Sequence, residues 1–143
     1  MIEKRSSYRG LQYIIVLDGI GYRCGYVGCP ESLTDFYINY YDDLPIHLDC
    51  HGGITFSDFV SNFDIHNSPR LWWLGWDYNH MDGLDIESVR KLYGENQVNW
   101  IINNLEGYEQ LKQYKFYSLD EVEEECKHVI DQIIAYEDKK LGL

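Results

Sequence analysis

The run Leu11-Gln-Tyr-Ile-Ile-Val-Leu-Asp-Gly-Ile-Gly-Tyr-Arg-Cys-Gly-Tyr-Val27 decides the fold class. Leu11 to Asp18 sets β-branched and aromatic residues between Gly10 and Gly19, the composition of a buried strand. Gly19-Ile-Gly21 turns the chain, and Tyr22 to Val27 returns as the second strand of a hairpin that ends at Gly28-Cys-Pro30. A sheet opened by such a hairpin is antiparallel and needs a cover for its apolar face. The far end of the chain supplies one. Ser118-Leu-Asp-Glu121 has the pattern of a capping box. Leu119, Val122, Cys126, Val129, Ile130, Ile133 and Ile134 follow at helical spacing, with Glu123, Glu124, Lys127 and Asp131 opposite.

Between these ends, Ile46, Leu48 and Cys50 alternate with His47, Asp49 and His51, the period of a half-buried strand. Ile54 to Ser57 follows Gly52-Gly53 as its expected partner. A three-residue loop, His51-Gly52-Gly53, pairs Cys50 with Ile54 and Leu48 with Phe56, and sends His47, Asp49, Thr55 and Ser57 to the other face. Leu71-Trp-Trp-Leu-Gly-Trp-Asp77 is the most apolar strand candidate, with Gly75 marking a bulge or close backbone approach. Glu31 to Asp43 has no firm period and reads as loop or short helix. Ser57 to Pro69 reads as a mobile loop. The expected fold is α+β: an antiparallel sheet from segments 11–18, 22–27, 46–50, 54–58 and 71–77, covered by a C-terminal amphipathic helix over 119–138. The segment 86–104 is a candidate second helix despite Gly94.

The chain of 143 residues is 45% hydrophobic and 25% charged, which fits a single globular domain over 1–143. It carries 12 Lys+Arg against 24 Asp+Glu, a formal net charge of −12. That charge, without any Lys/Arg-rich block, argues against nucleic acid as a partner. No apolar run has the length of a membrane span and no signal-peptide pattern opens the chain. The expected location is therefore cytoplasmic, in a bacterial host cell once the resemblance below is taken in, and the 4 cysteines are expected as free thiols.

The 13 tyrosines, 4 tryptophans and 5 phenylalanines are the compositional outlier. Alternation sends Trp72 and Trp76 to one strand face and Trp73 to the other, as core, as an interface between subunits, or as a platform for a planar ligand. His47, Asp49 and His51, with Asp77 and His80 after the tryptophan strand, form a candidate metal set, because imidazole and carboxylate ligands must converge on one point. No metal is assigned, since the spacing follows no ligand signature. Asp77-x-Asn79 is not a calcium loop, because Met81, Asp82 and Ser88 stand where that loop needs a ligand, glycine and glutamate. His66-Asn-Ser68 lacks the second His-x-Ser/Thr that paired-histidine phosphodiesterases use. No feature marks an activated cysteine, and no phosphate-binding glycine loop is present.

Gly25-Tyr-Val-Gly-Cys-Pro30, His51-Gly-Gly-Ile-Thr-Phe-Ser57, Trp72-Trp-Leu-Gly-Trp-Asp77 with His80, and Tyr114-Lys-Phe-Tyr-Ser-Leu-Asp-Glu-Val122 together resemble a family of small uncharacterised proteins encoded by bacteriophages and prophages. Trp76-Asp-Tyr-Asn-His-Met-Asp82 departs from that family's run of phenylalanine, aspartate, cysteine, alanine, histidine, glycine and aspartate. The resemblance implies a phage accessory protein, and counter-defence by sequestering a nucleotide-derived ligand is the expected role. Such binding needs aromatic faces, arginines and polar side chains but no catalytic residue and no cofactor. His51, Trp73, Trp76, Asp77, His80, Arg23 and Arg70 are the candidate ligand-binding residues, and a homo-oligomer is expected. Two alternatives stand beside this reading. One is a metal-dependent hydrolase using the His/Asp set. The other is an acidic decoy for a basic host protein, with Asp42, Asp43 and Glu123–Glu125 in phosphate-like positions.

Overall fold

The computed structural model describes residues 1–79 and 83–143. Five strands, β1 (Ile2–Tyr8), β2 (Leu11–Leu17), β3 (Arg23–Cys29), β4 (Phe56–Phe59) and β5 (Trp72–Asp77), form one antiparallel sheet in the order β1-β2-β3-β5-β4. Arg9 and Gly10, both at positive φ (50° and 86°), close the β1–β2 hairpin. A two-residue turn of that hand matches the right-handed strand twist. The β2–β3 turn is built by Asp18, whose Oδ1 accepts the backbone N–H groups of Ile20, Gly21 and Tyr22 at 2.9, 2.9 and 3.0 Å.

The tryptophan strand sits against glycines. Trp76 pairs with Gly25 and Trp73 with Gly28 across β3–β5, and each indole lies where the glycine has no side chain. Tyr26 lies over Gly75 in the same way. Large rings thereby fill the space the glycines leave on both faces of the sheet.

α4 (Leu119–Lys140) covers one face, and Ser118 and Glu121 cap it reciprocally. Val122, Cys126, Val129, Ile130 and Ile133 pack on Tyr13, Ile15, Val27, Trp72, Leu74 and Trp76. On the other face Ile14 and Trp73 are closed over by Phe63 from the segment after β4, which carries a 3-10 turn at Ser61–Phe63. α1 (Ile86–Tyr93), α2 (Glu95–Asn104) and α3 (Tyr108–Leu111) complete the helices. Val89, Val98 and Ile101 of α1 and α2 join Leu17, Tyr22 and Leu84 in a separate cluster at the end of β2. Gly94, at φ 92°, divides the expected 86–104 helix in two. Two short 3-10 turns, Glu31–Phe36 and Tyr41–Asp43, fall in the segment without a firm period.

Two sequence expectations need correction. Segment 46–50 is not a strand, and Phe56–Phe59 pairs with β5 instead of with it. The alternation is real, since Leu48 is buried and His47 and Asp49 exposed, but the backbone finds its partners on a helix. Gln132 of α4 accepts the Asp49 N–H at 2.7 Å and donates to its carbonyl at 2.9 Å. Ser57, expected on a polar face, is buried on the α4 side, accepts the Trp72 indole N–H at 2.9 Å and donates to the Ile38 carbonyl. The second is β1, which lies outside the expected strand segments; its sequence Ile-Glu-Lys-Arg-Ser-Ser-Tyr has no apolar alternation to mark it. It is a strand because β2 supplies its hydrogen bonds.

Candidate functional site

β5 ends at Asp77, and the ring of the next residue, Tyr78, joins the core on the α4 face. There it meets the His51 bend. The two rings stack with centroids 4.7 Å apart and planes 23° from parallel, and Tyr117 lies 4.8 Å from each. A hydrogen-bond chain ties the three elements together. The Trp76 indole donates to the Tyr78 oxygen at 3.0 Å, the Tyr78 hydroxyl donates to Glu125 at 2.7 Å, and Glu125 also accepts the His51 backbone N–H at 2.7 Å. Arg23 donates to the Tyr117 carbonyl at 2.9 Å and holds the chain leading into α4.

Tyr78, Tyr117, Asp120, Glu121, Glu124 and Glu125 line a recess of about 400 Å³ beside this joint. The carboxylates come from the first two turns of α4, where i, i+4 spacing puts Asp120 over Glu124 and Glu121 over Glu125. The helix dipole favours anions at that end. One cation of the chain already sits there. The Lys115 ammonium is 2.7 Å from a Glu121 oxygen and 5.2 Å from the centre of the Tyr117 ring. Burial raises the Tyr78 phenol far above its ordinary value, opposed by the Trp76 N–H and reinforced by Glu125, so it remains a neutral donor. Burial likewise lifts the Cys24 thiol to about 11 and the Cys50 thiol to about 12, with Asp77 and Glu125 respectively adding to the effect. Such thiols are not nucleophiles near neutral pH.

The structure brings together only part of the residue set expected from sequence. His51 and the exit of β5 are adjacent, but the rings between them are packed on one another. Trp73 (0% exposed) and Trp76 (1%) are enclosed in the two cores, so neither indole offers a face to a ligand. Arg23, 3% exposed, is not free to take phosphate: it pairs with Glu3 at 2.8 Å and Asp85 at 2.8 Å and donates to Ser88 at 3.0 Å. Asp77 leaves β5 on the side of its partner Cys24, the face away from Trp76 and Tyr78. His80 lies outside the described residues.

Arg70 stands elsewhere, its guanidinium 4.2 Å over the Phe59 ring. It borders a cleft of about 360 Å³ with Glu31, Thr34, Tyr37, Phe59 and Pro69. His47 lines a third hollow, of about 430 Å³, with Tyr41, Leu44 and Gly52 among its walls. Asp49 lies 3.4 Å from His128. Of the metal set, His47, Asp49, His51 and Asp77 lie within the described residues, and among the described residues no three His, Cys, Asp or Glu side chains converge on a cation position.

Of the residues at this joint, Tyr78 and Tyr117 carried no role in the sequence reading, and Glu125 appeared there only within the acidic run Glu123–Glu125. A signal for two of them existed. Tyr78 stands two residues after Trp76 and shares its face, and Glu125 repeats Glu121 one helical turn on. Nothing local points to Tyr117, which is placed by a tertiary hydrogen bond. Among the described residues no helix is long and apolar enough to cross a membrane. No family model, no curated protein and no solved structure matches this chain.

Proposed function

We propose that the protein is a non-catalytic binding protein whose aromatic and acidic recess at the start of α4 receives a cationic group of a basic partner. The observation that carries this reading is the recess lining: two tyrosine rings and four carboxylates around about 400 Å³. A ring face attracts a cation by ~0.5–2 kcal/mol, and a charge-assisted hydrogen bond to a carboxylate adds to it. The same lining repels phosphate, so it favours the acidic decoy over a nucleotide sponge. The net charge of −12 steers a basic partner toward the surface. Capture without turnover also suits the phage accessory role that the sequence resemblance implies. Titration of a lysine-rich peptide should give binding that weakens with salt and is lost in a Glu124→Lys/Glu125→Lys variant. Equal affinity in that variant would remove the recess from the reading.

One observation favours a second reading. The Arg70 guanidinium lies 4.2 Å over the Phe59 ring, beside Tyr37, with its Nε 3.4 Å from Asp64, and this half-exposed side chain offers a cationic group to a planar anionic ligand. A nucleotide-derived ligand belongs there rather than on the tryptophans. Thermal melting with cyclic nucleotides and cyclic ADP-ribose isomers should then shift for at least one compound, and Arg70→Ala should abolish the shift. A ligand at 100 times its Kd stabilises by ~2.7 kcal/mol, so a flat panel at saturating concentration would reject this reading. Homo-oligomerisation belongs to the proposal as well. β1 ends the sheet on one side, and a second copy pairing there extends it. Light scattering on the purified chain measures this directly, and a monomeric mass would exclude it.

A further inference from the structure

We infer that β1 pairs antiparallel with β1 of a second copy across a two-fold axis at Ser6, joining the two sheets edge to edge. The inference rests on the homo-oligomer of the preceding reading and adds the register and the residues that set it. β1 is the outer strand of the sheet. The hydrogen bonds of its neighbour show which of its backbone groups are open. The Asp18 N–H donates to the Tyr22 carbonyl at 2.9 Å, in step with the pairing of Val16 with Cys24, so the even-numbered residues of β2 bond to β3. The odd-numbered ones, Leu11, Tyr13 and Ile15, therefore bond to β1, where their partners are Tyr8, Ser6 and Lys4. Arg5 and Ser7 are left with N–H and C=O groups directed outward. Open space runs beside them: a hollow of about 450 Å³ is bordered by Arg5, Ser6, Ser7, Gly10 and Gln12, all of the β1–β2 hairpin.

One register satisfies all of these groups. With Ser6 opposite itself, Arg5 of each copy pairs with Ser7 of the other, and every outward N–H and C=O finds a partner. Offsets of a single residue set outward groups against inward ones. The next register on one side places Arg5 opposite Arg5, like charges directly across, and Ser7 opposite Glu3, which lies in the bulge between Ile2 and Lys4. The next on the other side places Arg5 opposite Arg9, a second like pair, at a turn residue of positive φ. With Ser6 at the axis, Lys4 meets Tyr8 and Arg9 meets Glu3. Two acidic molecules can also approach along this edge, because its charges are already balanced within each copy: Glu3 by Arg23, Lys4 by Glu123 and Arg9 by Asp131. The opposite edge strand, β4, has only 4 residues and offers a shorter ladder.

A single strand pair buries less than the ~1,200–2,000 Å² of a stable interface, so the dimer is reversible and concentration-dependent. The test is analytical ultracentrifugation of the full chain from micromolar to millimolar concentration, with an introduced cross-link to read the register. Opposed residues of a non-hydrogen-bonded antiparallel pair have Cα atoms ~4.5 Å apart, within disulfide range. Ser6→Cys should therefore oxidise to a covalent dimer whose bridge joins the two introduced thiols, as located by peptide mass. Ser7→Cys should bridge about fivefold less, since its two copies lie on a diagonal of ~7–8 Å. Ser7→Pro removes an outward N–H that β2 does not use. It should keep the monomer fold, checked by circular dichroism, and weaken association about thirtyfold, from one lost hydrogen bond per subunit. A monomer at every concentration would overturn this pairing and the homo-oligomer with it. A dimer that Ser7→Pro leaves intact, or a bridge that forms better through Ser7→Cys, would overturn the edge or the register and leave a homo-oligomer standing. Should Ser7→Pro fail to fold, the ratio of the two cross-links decides alone.

Discussion

At the scale of single residues, Arg23 has the most to lose. Its guanidinium is buried among Glu3, Asp85, Ser88 and the Tyr117 carbonyl, so truncation leaves two carboxylates without their cation. Arg23→Met should cost ~3–5 kcal/mol, the range for breaking a buried ion pair, measured by urea unfolding. The same network sets an acid limit. Desolvation pushes the Asp85 carboxyl up, but the Ser88 hydroxyl and Arg23 outweigh it and leave its pKa below the usual value. A depressed carboxylate contributes stability that is fully present above its unfolded pKa of ~3.9 and is lost as pH falls through the lower folded value. Asp85→Asn should therefore flatten the loss of stability below about pH 4, and an unchanged acid limb would contradict this account. Gly25 is the other exacting position. A Cβ there would stand 2.5 Å from the Trp76 ring, so Gly25→Ala should cost ~1–3 kcal/mol by overpacking. Trp76 was legible as one face of a strand. That the glycine opposite is its seat depends on β3–β5 register, which no single strand reveals.

At the scale of elements, periodicity located the hairpin of β2 and β3, the tryptophan strand and α4, because each has an apolar face that burial must satisfy. It misassigned segment 46–50 for a physical reason. Alternation reports which side chains are buried, not what the backbone bonds to, and here Gln132 and Glu125 of α4 replace a neighbouring strand. β1 shows the converse. Its backbone pairs along β2 apart from a bulge between Ile2 and Lys4 while its sequence is polar, so the ladder and the ion pairs Glu3–Arg23 and Lys4–Glu123 hold it rather than an apolar face. The recess was legible in its acids, whose i, i+4 spacing is visible, and not in Tyr117, which a distant arginine positions. If Gln132 is what anchors the extended segment, Gln132→Ala should speed amide exchange at Asp49 while the β2 and β3 amides keep their protection. Unchanged exchange at Asp49 would assign the anchoring to Leu48 packing instead.

At the scale of the whole molecule, folding and capture of a partner respond to the same field in opposite senses. A net charge of −12 on 143 residues repels itself, even though many lysines and arginines are individually paired. Screening relaxes that repulsion: the Debye length falls from ~30 Å at 0.01 M salt to ~8 Å at 0.15 M. Repulsion between exposed charges more than a Debye length apart is largely screened, whereas an ion pair in contact is screened far less. Raising salt over this range should therefore raise the melting temperature of the free protein. The same salt should lower the affinity for a lysine-rich peptide, because long-range attraction is screened along with long-range repulsion. Opposite slopes, measured by calorimetric melting and by titration on one preparation, separate electrostatic capture at a folded surface from any binding that merely stabilises the chain. A peptide affinity that holds or rises with salt would show that apolar burial, not the carboxylates of α4, dominates the contact.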